Sequence, residues 1–359
     1  MDDDREVLMS NTKSQSEQLN IKRYLIYLLI FIAISVLTLY YIYRVFGQTT
    51  SFLIFKDFPA DIIIGLFSTL IIYFLFDGLR LYFILRSLEI KISFGHIFKI
   101  VFINIFISNI TPFASGGGVA QVYFLTQKGV PLGNATAATT IRTVLASMFV
   151  FVSGPIILLT NESMFAMFSG APIFLSLLVF FALYLFIFYV AIFKNRLIKK
   201  TVFVSMRYMK SKKLLSQDRY SSSLKYLLKH IEMFGEKLSL FIRGNSKYVF
   251  LSFLFTALFL LAEFTFAIFL LEGMGYQINY TSVILMQVVI IFFMYFTPTP
   301  GATGVAEGGF SLLFSRIVEK GDILPLIFSW RLFTKYIGIA IGIVVFYIML
   351  FKGENTDEK

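Results

Sequence analysis

The sequence predicts an all-α polytopic membrane protein: two inverted repeats, about six spanning helices and two re-entrant helical hairpins, eight apolar segments in all. Three observations carry this expectation. The chain of 359 residues is 57% hydrophobic, 18% aromatic and 15% charged, with a mean hydropathy of +0.79, whereas a soluble domain carries about 25% charged residues. One short passage occurs twice, TPFASGGGVAQ at residues 111–121 and TPTPGATGVAE at 297–307. Lysine and arginine collect on particular connections between the apolar runs, as they do on cytoplasmic loops.

A spanning helix needs roughly 20 mostly apolar residues. Six stretches qualify: 23–46, 61–85, 135–160, 171–193, 248–272 and 323–351. Two shorter ones, 97–111 and 281–297, run into the repeated passages and are followed by further short apolar pieces, 119–127 and 305–316. One reading is a hairpin that enters and leaves by the same face. The other is a kinked full span at each site. Charge favours hairpins. Lys22, Arg23, Arg86, Lys91, Lys99, Lys128 and Lys352 then share the inner side with the segment 194–247, which holds fourteen Lys/Arg against three acids. The loops 161–170 and 273–280 carry no Lys or Arg and fall outside. Only Arg316 and Lys320 depart from the pattern. The expected location is the plasma membrane, multi-pass, with both termini cytoplasmic. The polar start MDDDREV has neither the basic opening nor the small-residue cleavage site of a signal peptide.

The organisation that follows is a polar tail (1–21), a first membrane repeat (22–160) and a second made of 171–193 and 248–351. A basic insertion (194–247) interrupts the second repeat, and a polar tail (352–359) ends the chain. The first hairpin enters from inside and the second from outside, so the repeats are inverted. The passages pair Thr111/Thr297, Pro112/Pro298, Gly118/Gly304, Val119/Val305 and Ala120/Ala306 at an offset of 186 residues, ending on Gln121 and Glu307. The same offset carries Asp77 onto Glu263. Arg142 lies 30 residues after Pro112, and Arg331 lies 33 after Pro298. Each half therefore has an acid, a Gly/Pro break and an arginine, in that order.

Those residues are the candidate site. Each arginine falls about nine residues into its apolar stretch, roughly 13 Å deep and near the middle of a ~30 Å core. Ionisable groups at that depth mark function, and guanidinium grips phosphate bidentately. An internal ion pair of Arg142 or Arg331 with Asp77, Glu263 or Glu307 is the structural alternative, and it is compatible with phosphate binding. Lys335 adds charge four residues beyond Arg331. A short helix is expected to start after each break, near Val119 and near Val305, with free amides that attract an anion. Gly116, Gly117, Gly118, Gly301 and Gly304 would let backbone approach a ligand, or simply allow tight helix packing. Asp77, Glu263 and Glu307 would bind a headgroup cation or carry protons, although Arg80, one turn away, offers Asp77 a local pair. Gln121, Asn104 and Asn109 would line the first hairpin. Trp330 and Tyr336 read as packing or interface anchors.

Several classes are disfavoured. Without cysteine there are no disulfides and no thiolate metal sites. The two histidines, His96 and His230, have no metal-ligand spacing and no evident nucleophile beside them. No cofactor is expected. In the insertion, Leu224, Leu227, Leu228, Ile231, Leu238 and Phe241 keep helical spacing, with Lys225, Lys229, Glu232 and Lys237 off that face. A basic amphipathic helix of this kind suits the anionic inner leaflet better than tRNA.

TPFASGGGVAQVYFLTQKGV and TPTPGATGVAEGGF, the latter followed by Arg331, resemble the two signature regions of the lysylphosphatidylglycerol synthase transmembrane family. This is the flippase-like part of the multiple peptide resistance factor, also found as stand-alone proteins. Pro298, Pro300, Gly301, Gly304 and Glu307 match in the second region, and Gly116, Gly117, Gln121 and Tyr123 in the first. Gly118 and Val119 stand where many relatives have a polar residue and proline. The resemblance implies movement of a phospholipid, an aminoacylated phosphatidylglycerol or a lipid-linked phosphate between leaflets. It carries the alternative of a membrane part of a phosphatidylglycerol lysyltransferase serving antimicrobial peptide resistance, as enzyme or as accessory to a separate lipid-modifying synthase. No synthase domain is recognisable, so a transporter is expected rather than an enzyme.

Overall fold

The computed structural model describes residues 21–46, 58–160, 195–211 and 217–351, with isolated positions elsewhere. Among the described residues every regular element is a helix. In order these are α1 (Ile21–Phe46), α2 (Ala60–Ser87), α3 (Phe94–Ile110), α4 (Ser115–Thr126), α5 (Leu132–Thr160), α6 (Asn195–Ser211), α7 (Gln217–Arg243), α8 (Ser246–Gly273), α9 (Tyr280–Met294), α10 (Val305–Phe314), α11 (Ile323–Arg331) and α12 (Ile337–Phe351). Five stretches are long and apolar enough to cross a membrane: Ile26–Arg44, Ala60–Ser87, Leu132–Ile157, Ser246–Gly273 and Ile323–Met349. The expected span 171–193 lies outside the described residues.

The chain forms two compact units, and α2 and α8 contribute to both. One unit comprises residues up to Gly78, Ser93–Lys128 and Thr256 onward; the other comprises Leu79–Ile92 and Gly129–Phe255.

In the first unit α3 lies along α12. The approach depends on two glycines four residues apart. A Cβ on Gly338 would sit 3.0 Å from Ile105 Cγ2, and one on Gly342 would sit 2.6 Å from Phe106 Cβ. Small residues at this spacing let membrane helices close up where no hydrophobic force draws them together. The same device seats α2 on α8, where a Cβ on Gly65 would meet the Phe269 ring at 2.7 Å. Tyr73 stacks on Phe259 at 4.7 Å in the same seam. α1 packs on α3, α10 and α11 and inserts Phe31, but most of its other side chains stay exposed, as on a lipid-facing helix.

In two short pairs, α3–α4 and α9–α10, the partners pack side by side. At 17, 12, 15 and 10 residues, they reach about 25, 18, 22 and 15 Å, short of a ~30 Å core.

Beyond the hairpin α9–α10, Tyr276 ties two connections together. Its hydroxyl donates to Asp322 Oδ2 at 2.6 Å and accepts from the Glu319 amide at 3.0 Å. Burial, with the Asp322 bond second, pushes its pKa up to about 12. A raised phenol pKa stabilises the fold while the group is neutral. The contribution is therefore complete below the unfolded value near 10 and is lost as pH climbs to 12. Tyr276→Phe should remove one tyrosinate with a midpoint near 12 from an ultraviolet difference titration. It should also speed tryptic cleavage at exposed Arg316 and Lys320 severalfold, since each lost bond is worth about 1 kcal/mol.

In the second unit α6 and α7 form an antiparallel pair, registered by Lys199 Nζ to Glu232 Oε1 at 3.1 Å and by Lys210 over the Tyr220 ring at 4.9 Å. α7 packs on α5. Its end is pinned where a Cβ on Gly244 would come within 2.9 Å of the Ser87 carbonyl. Of the residues expected on its two faces, Phe241 is buried, Leu224 and Leu228 are half-buried, and Lys225, Lys229 and Glu232 are exposed, whereas the side chains of Leu227, Ile231, Lys237 and Leu238 lie outside the described ones.

Candidate functional site

The repeated passages build the same turn twice. Thr111 and Thr299 are extended (φ −106° and −73°), as residues before proline are driven to be. Pro112 and Pro300 then open one turn of 3₁₀ helix, closed by the Ala114 amide on Thr111 O at 3.2 Å and by the Ala302 amide on Thr299 O at 3.0 Å. Both turns use the left-handed region: Phe113 and Ala114 have φ 53°, Gly301 φ 60° and Ala302 φ 54°. Three of these four are not glycine, and such a conformation persists only where the surroundings impose it. The two turns pack against each other. At Gly301 a Cβ would meet Phe31 at 2.9 Å and the Asn109 carbonyl at 3.2 Å, so a side chain there would have to move the Phe31 ring and press on α3.

After the turns the copies diverge. In the first, α4 starts at once: Thr111 Oγ1 donates to Ile107 O at 2.7 Å and accepts from the Gly116 amide at 3.0 Å. In the second, Thr303 and Gly304 intervene. Gly304, at φ 94°, caps α10. Glu307 completes the cap, its Oε2 accepting from the Gly304 amide at 2.7 Å.

The other oxygen of Glu307 reaches Arg331. Nε donates to Oε1 at 2.6 Å, and a terminal guanidinium nitrogen donates to the Gly301 carbonyl at 3.3 Å. Arg331 is 2% exposed and Glu307 1%. One carboxylate thus holds a helix start and a buried cation, and the cation also holds the turn. A second pair lies in the same unit, Lys335 Nζ to Glu263 Oε1 at 3.0 Å. Between the two cations the helix widens into a π turn, Leu332–Tyr336, closed by the Ile337 amide on Leu332 O. Such turns recur at functional sites. Arg331, Glu307 and Glu263 are buried and Lys335 is half-buried, and each of the two cations is bonded to one of the two acids.

The model of the family described as "Lysylphosphatidylglycerol synthase TM region" matches residues 28–342. The chain belongs to that family. It is also similar to a UPF0104 membrane protein of Archaeoglobus fulgidus, 26% identical over 274 residues, which covers 75% of this chain and 80% of that one.

In this family member the expected site residues fall as follows. Glu307, Arg331, Gly301 and Gly304 form one bonded cluster, and Lys335 and Glu263 form a pair beside it in sequence. Lys335 does not share Arg331's partner: the π turn breaks the four-residue register, and the two cations take different acids. Gln121 does not play Glu307's part. It is fully buried seven positions into α4, whereas Glu307 is the third residue of α10. The first short helix starts at Ser115 rather than near Val119, because Thr111 caps it early; the second starts at Val305 as expected. Gly116 and Gly117 serve packing: a Cβ on either would strike Thr111 and Ile107, or Ser108 and the Asn104 carbonyl. Gly118 is half-buried on α4. Asp77 is buried on α2, and Arg142 is buried on α5 in the second unit. Among the described residues no group of His, Asp or Glu could hold a metal ion. Sequence reasoning missed the glycine pair at 338 and 342, which was visible, and the Tyr276–Asp322 tie, which was not.

Proposed function

We propose that this protein moves an anionic phospholipid, an aminoacylated phosphatidylglycerol or another lipid-linked phosphate between leaflets, with Arg331 as the phosphate ligand. The observation that carries the reading is the Glu307–Arg331 pair, buried where two Gly/Pro turns meet. Family membership points to the same class of protein. On this reading α3–α4 and α9–α10 are re-entrant hairpins from opposite faces of the plasma membrane, the repeats are inverted, and both termini are cytoplasmic. Phosphate displaces Glu307 from Arg331, and Glu307 keeps its bond to the Gly304 amide meanwhile. Glu263 releases Lys335, or receives a headgroup cation. In the first half Asp77, which the offset matches to Glu263, and Arg142, the arginine that follows the first break, take the corresponding roles. Access is supported by α10, where Gly304, Val305 and Gly308 are exposed and a Cβ on either glycine would meet nothing within 4 Å.

The test is reconstitution in vesicles carrying a fluorescent lipid, with a membrane-impermeant reductant that bleaches the outer leaflet. Bleaching should go to completion for labelled phosphatidylglycerol and stop near half for labelled phosphatidylcholine. Bleaching that stops near half for every anionic lipid overturns the proposal. The family description favours one other reading, a membrane partner of a separate synthase. That reading predicts lysyl-lipid formation only on co-expression and no lipid movement by the chain alone.

A further inference from the structure

We infer that α6 seats on an anionic bilayer surface through a face distinct from the one it packs on α7. A single-faced amphipathic helix would spend its apolar side on its partner; α6 packs on α7 and buries Met206, 7% exposed. It also carries a second set turned outward: Phe203 is 43% exposed, Val204 56% and Tyr208 62%. At 100° per residue, Lys200 and Arg207 lie between Phe203 on one side and Val204 with Tyr208 on the other, and both basic residues are exposed. Apolar and aromatic side chains interleaved with Lys/Arg suit the boundary between headgroups and acyl chains. Of the three acids in 194–247, Glu232 is engaged elsewhere, bonded to Lys199 across the α6–α7 pair.

The position of the pair fits the same occupant. α7 ends two residues before α8, a helix long and apolar enough to span, and its end abuts the last turn of α2 at Ser87. At the other end the apolar stretch 171–193 leads directly into α6. Both ends of the pair are therefore tied to apolar stretches, at the side where basic residues collect, fourteen Lys/Arg against three acids in 194–247. RNA would answer the charge but would leave Phe203 and Val204 in water, so a bilayer satisfies more of the surface.

The chain contains no cysteine, so Val204→Cys, or Phe203→Cys as a second position, can carry a polarity-sensitive fluorophore on the full-length protein. The protein is placed singly in nanodiscs of phosphatidylcholine, with or without phosphatidylglycerol. The expected result is a blue shift and at least a twofold rise in emission with the anionic lipid. The gain is reversed by molar salt, which shortens the screening length to about 3 Å. Lys200→Gln with Arg207→Gln should weaken seating about fivefold for each charge removed. A label that reports water in both discs overturns the inference. So does an equal signal in both, a signal that appears only with added RNA, or one that needs two copies in a disc.

Discussion

Replacing the central pair together, Glu307→Gln with Arg331→Met, is expected to leave a folded protein that no longer moves lipid. Arg331→Ala alone should lose about 3–5 kcal/mol of stability, because removing one member of a buried ion pair strands the other charge. Glu307 would be that stranded charge, 1% exposed at the start of α10. The double variant avoids the difficulty. The carboxamide oxygen introduced at position 307 can still accept from the Gly304 amide, a bond of 2.7 Å in the native protein, and methionine fills much of the arginine volume with no charge. What remains lost is the bond to the Gly301 carbonyl, about 1 kcal/mol. Buried pairs exchanged for neutral, well-packed groups are often close to neutral in stability. Thermal unfolding followed by the fluorescence of Trp330, the chain's one tryptophan, should therefore separate the single variant from the double one. Vesicle assays should show lipid movement reduced to the protein-free rate in the double variant. Native lipid movement in that folded double variant would remove Arg331 from the mechanism.

The break points, the two arginines and the three acids were legible in the sequence because each violates a strong rule: backbone breakers and ionisable groups are expensive at membrane depth. The pairing among them was not. The doubled passage aligns Pro112 with Pro298, yet the backbone equates Pro112 with Pro300, since the turn-closing bonds are Ala114 to Thr111 and Ala302 to Thr299. A two-residue slip of this kind is invisible while Thr-Pro precedes both candidates, at 297–298 and at 299–300. With the two residues Thr303 and Gly304 that intervene before α10, it explains why Gln121 and Glu307, matched by offset, lie four helical positions apart. Lys335's partner was hidden for another reason. On a regular helix residues four apart share a face, and nothing in Leu332–Tyr336 marks a π turn in advance. Gly116 and Gly117 were open to two readings, and the choice rested on the side chain of Ser108 and the carbonyl of Asn104, which only tertiary structure brings near.

The glycines provide the second large effect, because the same residue type does opposite things in the two hairpins. Gly117→Ala should be destabilising by roughly 1–3 kcal/mol, the usual cost of forcing a methyl into a packed contact. Its Cβ would overlap the Ser108 side chain and approach the Asn104 carbonyl, a backbone atom, to 2.9 Å. The serine could rotate away, but the carbonyl belongs to α3 and can yield only if α3 and α4 part. Gly308→Ala carries no such penalty. It has open space around it on an exposed face, and it exchanges the poorer helix former for the best one, a gain of up to about 1 kcal/mol. Packing therefore gives no reason for glycine at 308, whereas a close approach by a moving headgroup does. Gly308→Leu is accordingly expected to keep the fold and to slow lipid movement about tenfold or more, a barrier increase of roughly 1.4 kcal/mol. Thermal stability and vesicle bleaching, measured on all three variants, separate the two roles. A Gly308→Leu protein with native transport would place the lipid's route away from the exposed face of α10, and a Gly117→Ala protein with native stability would mean that α3 and α4 are less tightly apposed than their glycines indicate.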